Sequence, residues 1–371
     1  MEFSTSKSQL LKELTLTQGV VEKKTTIPIL SNLLLEVDDS TLRVSATDLD
    51  LGIHCGCAAK VKKPGAGTIP AKRLFEIVRS LPEAEVHFKL LENHWVQVTC
   101  LRSSFKLVGM AKDNFPLLPA IPKPLATLPT GVLLAMIQKT IFAISSEESR
   151  YTLNGALFIL KPDSVSMVAT DGHRLAMVER DVQVEGLKNE LRVLIPKKAM
   201  AELLKLLAEG EETTPVELSK DESHLFFSLG SRVLISRMLT GQFPNYEAVL
   251  PKENNRIIEL DKDLATLAIR RVALLADERS RAIRIQLDKD RLEIFSSSGE
   301  YGEANEVLDA AYQGEGLQIG FNYQYLLDFL SVVGDGAKIR LELKDEQSAG
   351  QLRPSDEGVY RYRYVVMPMR I

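Results

Sequence analysis

Apolar and polar residues alternate along this chain in short runs. Between the runs lie segments whose apolar residues fall at helical spacing instead. Over residues 131–145, Leu133, Leu134, Ile137, Ile141 and Ile144 mark one apolar face and predict a helix. Helices are expected in the same place in the pattern at 6–19 and 263–276, each after a short strand. Alternating stretches follow at 32–47 (NLLLEVDDSTLRVSAT), 155–170 (GALFILKPDSVSMVAT) and 282–297 (AIRIQLDKDRLEIFSS). Each holds two strands around a polar turn containing Asp, which is the pattern of a hairpin. A second helix is predicted at 70–80, 196–208 and 322–333. Pro70 and Pro196 are expected in its first turn, where proline's missing N–H is not needed. Further strands, such as 94–101 and 224–229, close each unit.

The same order of elements thus occurs three times, and landmarks recur with it. Ile69-Pro70 returns as Ile195-Pro196 after 126 positions, and Ala46-Thr47-Asp48 as Ala169-Thr170-Asp171 after 123. Phe115-Pro116 returns as Phe243-Pro244 after 128, and Met367-Pro368 stands 124 further on. Solenoid repeats run to about 50 residues, so this period is a copied domain. Three domains are expected within the 371 residues, at 1–122, 128–250 and 251–371, with proline-containing linkers at 116–129 and 249–256. The fold class is α+β, with helices gathered on one side of antiparallel sheets. A chain of three like domains in series points to a shape more than to a catalytic cleft.

Composition changes this picture little. Apolar residues make up 45% and charged residues 26%, so each domain can bury its own core. No uninterrupted apolar run reaches the roughly 18 residues of a membrane span. The opening MEFSTSKSQ lacks the basic start and apolar centre of a signal peptide, so a cytoplasmic protein is expected. Cys55, Cys57 and Cys100 are the only cysteines. Cys55-Gly-Cys57 beside His54 resembles half a metal site, but no second pair stands at zinc spacing, and small apolar cysteines in a strand are the simpler reading. No metal and no cofactor are expected.

Charge adds more. The predicted helices carry eleven basic residues against five acidic ones, a net of +6 in a chain whose total is −4. If the helices shared one face, they would offer phosphate a basic lining while the remainder repelled it. Ordinary helix propensity of Lys and Arg accounts for the same excess without any ligand.

Thr170-Asp171-Gly172-His173-Arg174 is the one segment that suggests catalysis, with Asp171 and His173 as an acid/base pair. Asp-Gly more naturally makes a turn. The first repeat keeps Thr47-Asp48 but continues Leu49-Asp50, so Thr-Asp belongs to the fold and Gly172-His173-Arg174 is particular to the second repeat. With no nucleophile elbow or phosphate loop in the chain, no catalytic residue is expected.

The chain resembles the bacterial DNA polymerase III beta subunits, the sliding clamps, over essentially its whole length. The resemblance is carried by TIPILSNLLLEV (26–37), YTLNGALF (151–158), VATDGHRLA (168–176), GQFPNYEAVLP (241–251) and the terminal YVVMPMRI (364–371), together with the triple repeat. It implies a DNA clamp fold in which head-to-tail homodimers close into a ring, helices lining the hole and antiparallel sheets outside. Such a ring encircles duplex DNA without reading sequence and tethers partners: the polymerase III catalytic subunit, the clamp loader, and other polymerases or repair proteins that present short apolar motifs. It also implies a peptide groove between the second and third domains. Carried over by motif, that groove comprises Arg150, Tyr151, Thr152, Leu153, Thr170, Gly172, His173, Arg174, Leu175, Pro244, Val249, Asn322, Tyr325, Val365, Val366, Met367, Pro368, Met369 and Arg370. Thr152 and Ala248 depart from residues common in relatives, an aromatic and an arginine. The resemblance further assigns Lys24, Lys72, Arg73, Lys197 and Lys198 to DNA, and sets Phe105 against Leu274 and Leu275 of a second copy. Two other classes stand beside the clamp: a protein-binding scaffold of the same fold that never encircles DNA, and an enzyme.

Overall fold

A computed structural model of the chain describes residues 1–22, 26–147 and 149–370. Six α-helices are present among them: α1 (Lys7–Thr17), α2 (Ala71–Ser80), α3 (Thr130–Thr140), α4 (Lys197–Leu207), α5 (Lys262–Ala273) and α6 (Tyr323–Val332). All six coincide with predicted helices to within a few residues. Three of the starts follow from side-chain caps: Ser6 accepts from Gln9 N–H, Asp261 from Asp263 and Leu264 N–H, and Asn322 from Gln324 N–H. The two prolines do not enter the first turn as expected. Pro70 and Pro196 are the last residues of the strands Gly65–Pro70 and Leu191–Pro196, and the helices begin after them. Both strands lie at a sheet edge, where a residue without an N–H leaves no gap in a ladder.

The three hairpins form as predicted. Asn32–Asp38 pairs with Thr41–Thr47, Gly155–Lys161 with Ser164–Thr170, and Ala282–Asp288 with Arg291–Ser298, all antiparallel. Gly155–Lys161 is buried on both faces, as its near-continuous apolar run GALFIL requires.

The contacts between the three like repeats group them into two compact units. The first holds Met1–Leu134, Glu185–Leu187 and Lys198–Met238, and the second holds Ala135–Val184, Lys188–Lys197 and Leu239–Ile371. The middle repeat is shared between them because each of its sheets fuses with a neighbour's. In the first unit, Arg232–Arg237 pairs with Leu51–Ala58 and makes one eight-stranded sheet from strands of two repeats. In the second unit, Arg361–Val366 pairs with Arg174–Asp181 in the same manner and makes the other. The first unit also holds a five-stranded sheet ending in Ser103–Val108, and the second a four-stranded sheet ending in Gly302–Asp309.

The first unit is further tied by a buried ion pair between α1 and the second repeat. The Arg232 guanidinium donates to both Glu13 oxygens, at 3.0 and 2.5 Å. Cys55 and Cys57 share the strand Leu51–Ala58, and the Cys55 thiol donates to the carbonyls of Glu13 and Val44. Burial, then the nearby Glu13, pushes the Cys55 thiol well above the ordinary cysteine range. Among the described residues no helix is long and apolar enough to cross a membrane.

Candidate functional site

The second unit brings most of the predicted groove residues together around one turn. Thr170 ends a strand, and its hydroxyl donates to Arg174 O (2.6 Å) and accepts from Gly172 N–H (3.1 Å). Asp171 Oδ1 accepts from the N–H groups of His173 (2.9 Å) and Arg174 (3.1 Å). The first repeat builds the same turn: Thr47 bonds Leu51 O and Leu49 N–H, while Asp48 accepts from Asp50 and Leu51 N–H. Leu49 therefore sits at φ +83° where Gly172 sits at φ +91°. The turn is common to both repeats, and only the side chains it carries differ. Glycine serves the second repeat for another reason as well: a Cβ on Gly172 would stand 2.7 Å from Arg150 Nη1. That nitrogen donates to Asp171 O at 2.6 Å. With its carboxylate committed to the backbone and to Arg174, Asp171 does not form the acid/base pair with His173.

Beside the turn lies an apolar floor of Leu157, Ile159, Val168, Leu175, Met177, Leu194, Phe243, Tyr246 and Val365, with Leu153, Leu239 and Leu250 packed against it. Of these only Leu153, Leu175 and Val365 were expected. The others were legible as hairpin and linker positions but not as a surface, since nothing local in sequence says which strand faces a groove. Thr152 meets the backbone of the 241–250 segment closely, its Cγ2 lying 2.8 Å from where a Gly241 Cβ would stand. Tyr151 and Val249 are exposed large apolar side chains, and Pro244 is exposed.

The terminal segment splits in two. Val365 joins the floor, and Val366, fully buried, faces the opposite side of the strand. Strand alternation is the reason. Beyond the strand, Met367 N–H donates to His173 O (2.9 Å) and Met369 N–H to Gly320 O (2.8 Å). Met369 thereby forms a β-bridge with Gly320. Pro368, Met369 and Arg370 then line a cleft of about 690 Å³ with Arg284, Gln318 and Glu346.

Arg174 is the least exposed charged member of the predicted set, at 10% for its side chain. Its Nε donates to Asp171 Oδ2 (3.1 Å), Nη1 to Asp328 Oδ2 (2.5 Å) and Nη2 to Phe142 O (2.7 Å). The guanidinium stacks over the Tyr325 ring at 4.3 Å and the Phe142 ring at 5.4 Å. Burial works against the charge, but Tyr364, Asp328 and Asp171 outweigh it and hold the group protonated.

The expected DNA contacts are less uniform. Lys24 lies outside the described residues. Lys72 and Arg73 project from the first turn of α2, largely exposed, and share Glu76 at 4.0 and 2.9 Å. Lys198 is half exposed and pairs with Asp48. Lys197 is turned inward, donating to Ile144 O at 3.0 Å, and burial followed by the charge of Arg174 lowers its pKa. Of the eleven helix cations, at least seven have a carboxylate within 4.0 Å: Lys7, Lys12, Lys72, Arg73, Lys198, Lys205 and Arg271. Their field is therefore weaker than the net of +6 suggests. At the expected dimer contact, Leu274 is 78% exposed immediately after α5, Leu275 is half buried, and Phe105 lies half buried on the edge strand Ser103–Val108.

Tandem α+β repeats whose antiparallel sheets fuse from one repeat to the next are the architecture of the DNA clamp fold. Sequence comparison gives the family. Models of the DNA polymerase III beta subunit match the chain at residues 1–119 (N-terminal domain), 127–245 (central domain) and 247–370 (C-terminal domain). The chain belongs to this family. It is 35% identical to the beta sliding clamp of Pseudomonas aeruginosa over 373 residues and 34% identical to that of Escherichia coli K12, covering 100% of each protein. Its fold superposes on the crystal structure of the P. aeruginosa clamp with a TM-score of 0.92 at 34% identity, covering 100% of both chains. A P. aeruginosa clamp bound to griselimycin gives 0.93 on the same coverage, also at 34% identity.

Proposed function

We propose that two copies of this chain join head to tail into a ring that encircles duplex DNA and tethers polymerases through the groove between the second and third repeats. The protein is a non-catalytic processivity subunit of DNA polymerase III. The observation that carries the ring is the repeated junction. Twice within the chain, the last strand of one repeat (Arg232–Arg237, then Arg361–Val366) pairs with the fourth strand of the repeat before it (Leu51–Ala58, then Arg174–Asp181). The first repeat's last strand, Ser103–Val108, and the third repeat's fourth strand, Gly302–Asp309, are sheet edges left over by that rule. Pairing them between two copies extends the series head to tail, and such contacts close a ring when the rotation permits. Their charges suit each other: Lys106 on one edge, Glu303 and Asp309 on the other.

The domains of the ring are 1–122, 128–250 and 251–371, and it works in the cytoplasm. Lys72, Arg73 and Lys198 offer phosphate a diffuse, exchangeable attraction, with Lys24 assigned by resemblance and Lys197 contributing least. Diffuse attraction lets the ring slide, where base-edge contacts would fix it. Short apolar motifs of the polymerase III catalytic subunit, the clamp loader and repair proteins occupy the groove, held by apolar burial over Leu153, Leu175 and the terminal methionines. The test is retention on DNA: the protein should stay on nicked circular DNA and be lost once the circle is linearised. Equal retention on both would remove the ring and leave the scaffold reading.

A further inference from the structure

Four charged side chains gather beside the strand turn, Arg174, Asp171 and Asp328 among them only 10%, 16% and 23% exposed. Arg174 binds Asp171, Asp328 and Phe142 O, and Lys197 binds Ile144 O, so the strand turn, α6 and the segment just after α3 converge here. A buried ion pair is weak evidence for stability, because its desolvation offsets most of its attraction and apolar replacements are often neutral. What such a cluster does well is fix geometry.

We infer that Asp328, which is not a groove residue, is a positioning residue for the groove: through Arg174 it fixes both the Thr170–Arg174 turn and the Tyr325 ring. This rests on the groove reading above. The geometry is a chain of oriented contacts. Gln324 Nε2 donates to Asp328 Oδ1 at 2.7 Å, which aims the other oxygen, Oδ2, at Arg174 Nη1, 2.5 Å away. Arg174 reaches Asp171 with Nε, so the turn is held from below by Arg174 on its carboxylate and from the side by Arg150 on its carbonyl. The same guanidinium plane lies 4.3 Å from the Tyr325 ring, and Tyr364 donates its hydroxyl to Tyr325 O at 3.0 Å. Without Asp328, Arg174 keeps only Asp171 as an ion partner and rotates toward it, and the turn and Tyr325 lose their common anchor. A peptide then meets a wall that must be ordered on binding, and that ordering subtracts from affinity.

The experiment measures three things on the full-length protein: affinity for a fluorescein-labelled apolar peptide selected on the wild-type protein, melting temperature, and retention on nicked circular DNA. Asp328→Asn should weaken peptide binding about tenfold, or 1.4 kcal/mol, while retention on the circle is unchanged. Asp328→Glu, which keeps the charge, should recover most of the loss. Gln324→Ala, a milder change on the surface of α6, should weaken binding in the same direction by less, and it serves if Asp328→Asn folds poorly. Leu330→Val, a core change on α6 away from the cluster, controls for destabilisation. If Leu330→Val weakens peptide binding as much as Asp328→Asn at the same loss of melting temperature, the positioning role is overturned. Unchanged affinity in folded Asp328→Asn overturns it too. Failure of the groove reading looks different: the peptide would then bind Met367→Ala/Met369→Ala as tightly as wild type.

Discussion

Single residues show how one position can serve fold and groove at once. Gly172 needs a positive φ and also clears the Arg150 guanidinium. Gly172→Ala is therefore expected to destabilise the protein by about 1–2 kcal/mol from the backbone alone, read as a drop in melting temperature, and to displace Arg150 as well. Lys139 serves the fold alone. Its ammonium lies over the rings of Tyr360 and Tyr362, and burial lowers its pKa from the ordinary 10.5. Between the lowered value and 10.5 the unfolded chain binds more protons than the folded one, so stability should rise with pH across that window. Below the window the cost of the buried charge is felt in full. Lys139→Met should flatten the rise, as denaturant unfolding at neutral and alkaline pH would show, and an equal slope in both proteins would refute it.

At the scale of elements, the contacts that matter join repeats. Glu13 on α1 and Arg232 on a strand of the second repeat are both nearly buried. Glu13→Ala strands a guanidinium and should cost about 3–5 kcal/mol, whereas Glu13→Leu with Arg232→Met should cost far less. Calorimetry on both variants checks the order. The terminal segment gives a test of the groove that spares the core. Leu175 is only 3% exposed, so truncating it would cost about 2–5 kcal/mol of stability and confound a binding assay. Met367 and Met369 are half exposed, and their anchoring hydrogen bonds come from the backbone. Met367→Ala/Met369→Ala should keep its fold and lose at least tenfold in peptide affinity, about 1.4 kcal/mol; titration with the labelled peptide decides it.

For the whole molecule the predictions concern assembly and DNA. Leu274→Glu with Leu275→Glu puts charges into the proposed contact with Phe105 and should give soluble monomers by light scattering. An unchanged dimer would place the interface elsewhere. Replacing Lys72, Arg73 and Lys198 by Gln should reduce both retention on nicked circles and its dependence on salt. Lys197→Gln should do much less, because that ammonium is already bonded to Ile144 O. A Lys197 effect as large as that of the other three together would show that it turns outward to meet DNA.

The amino-acid sequence by itself determined the repeat, the six helices, the hairpins and the Thr-Asp turn. These depend on spacing between neighbours: helical or alternate burial, a capping side chain, an Asp that bonds the amides two and three residues on. Resemblance then named the groove residues. Tertiary structure alone decided that three repeats make two compact units, because strand fusion joins residues far apart in the chain and leaves no local mark. It also decided which face each named residue takes. Val366 turns into the core one step from Val365, Lys197 points inward one step from Lys198, and Arg174 is spent on Asp171 and Asp328. A residue's partners across 150 positions are set by how sheets and helices pack, and period and composition do not encode them.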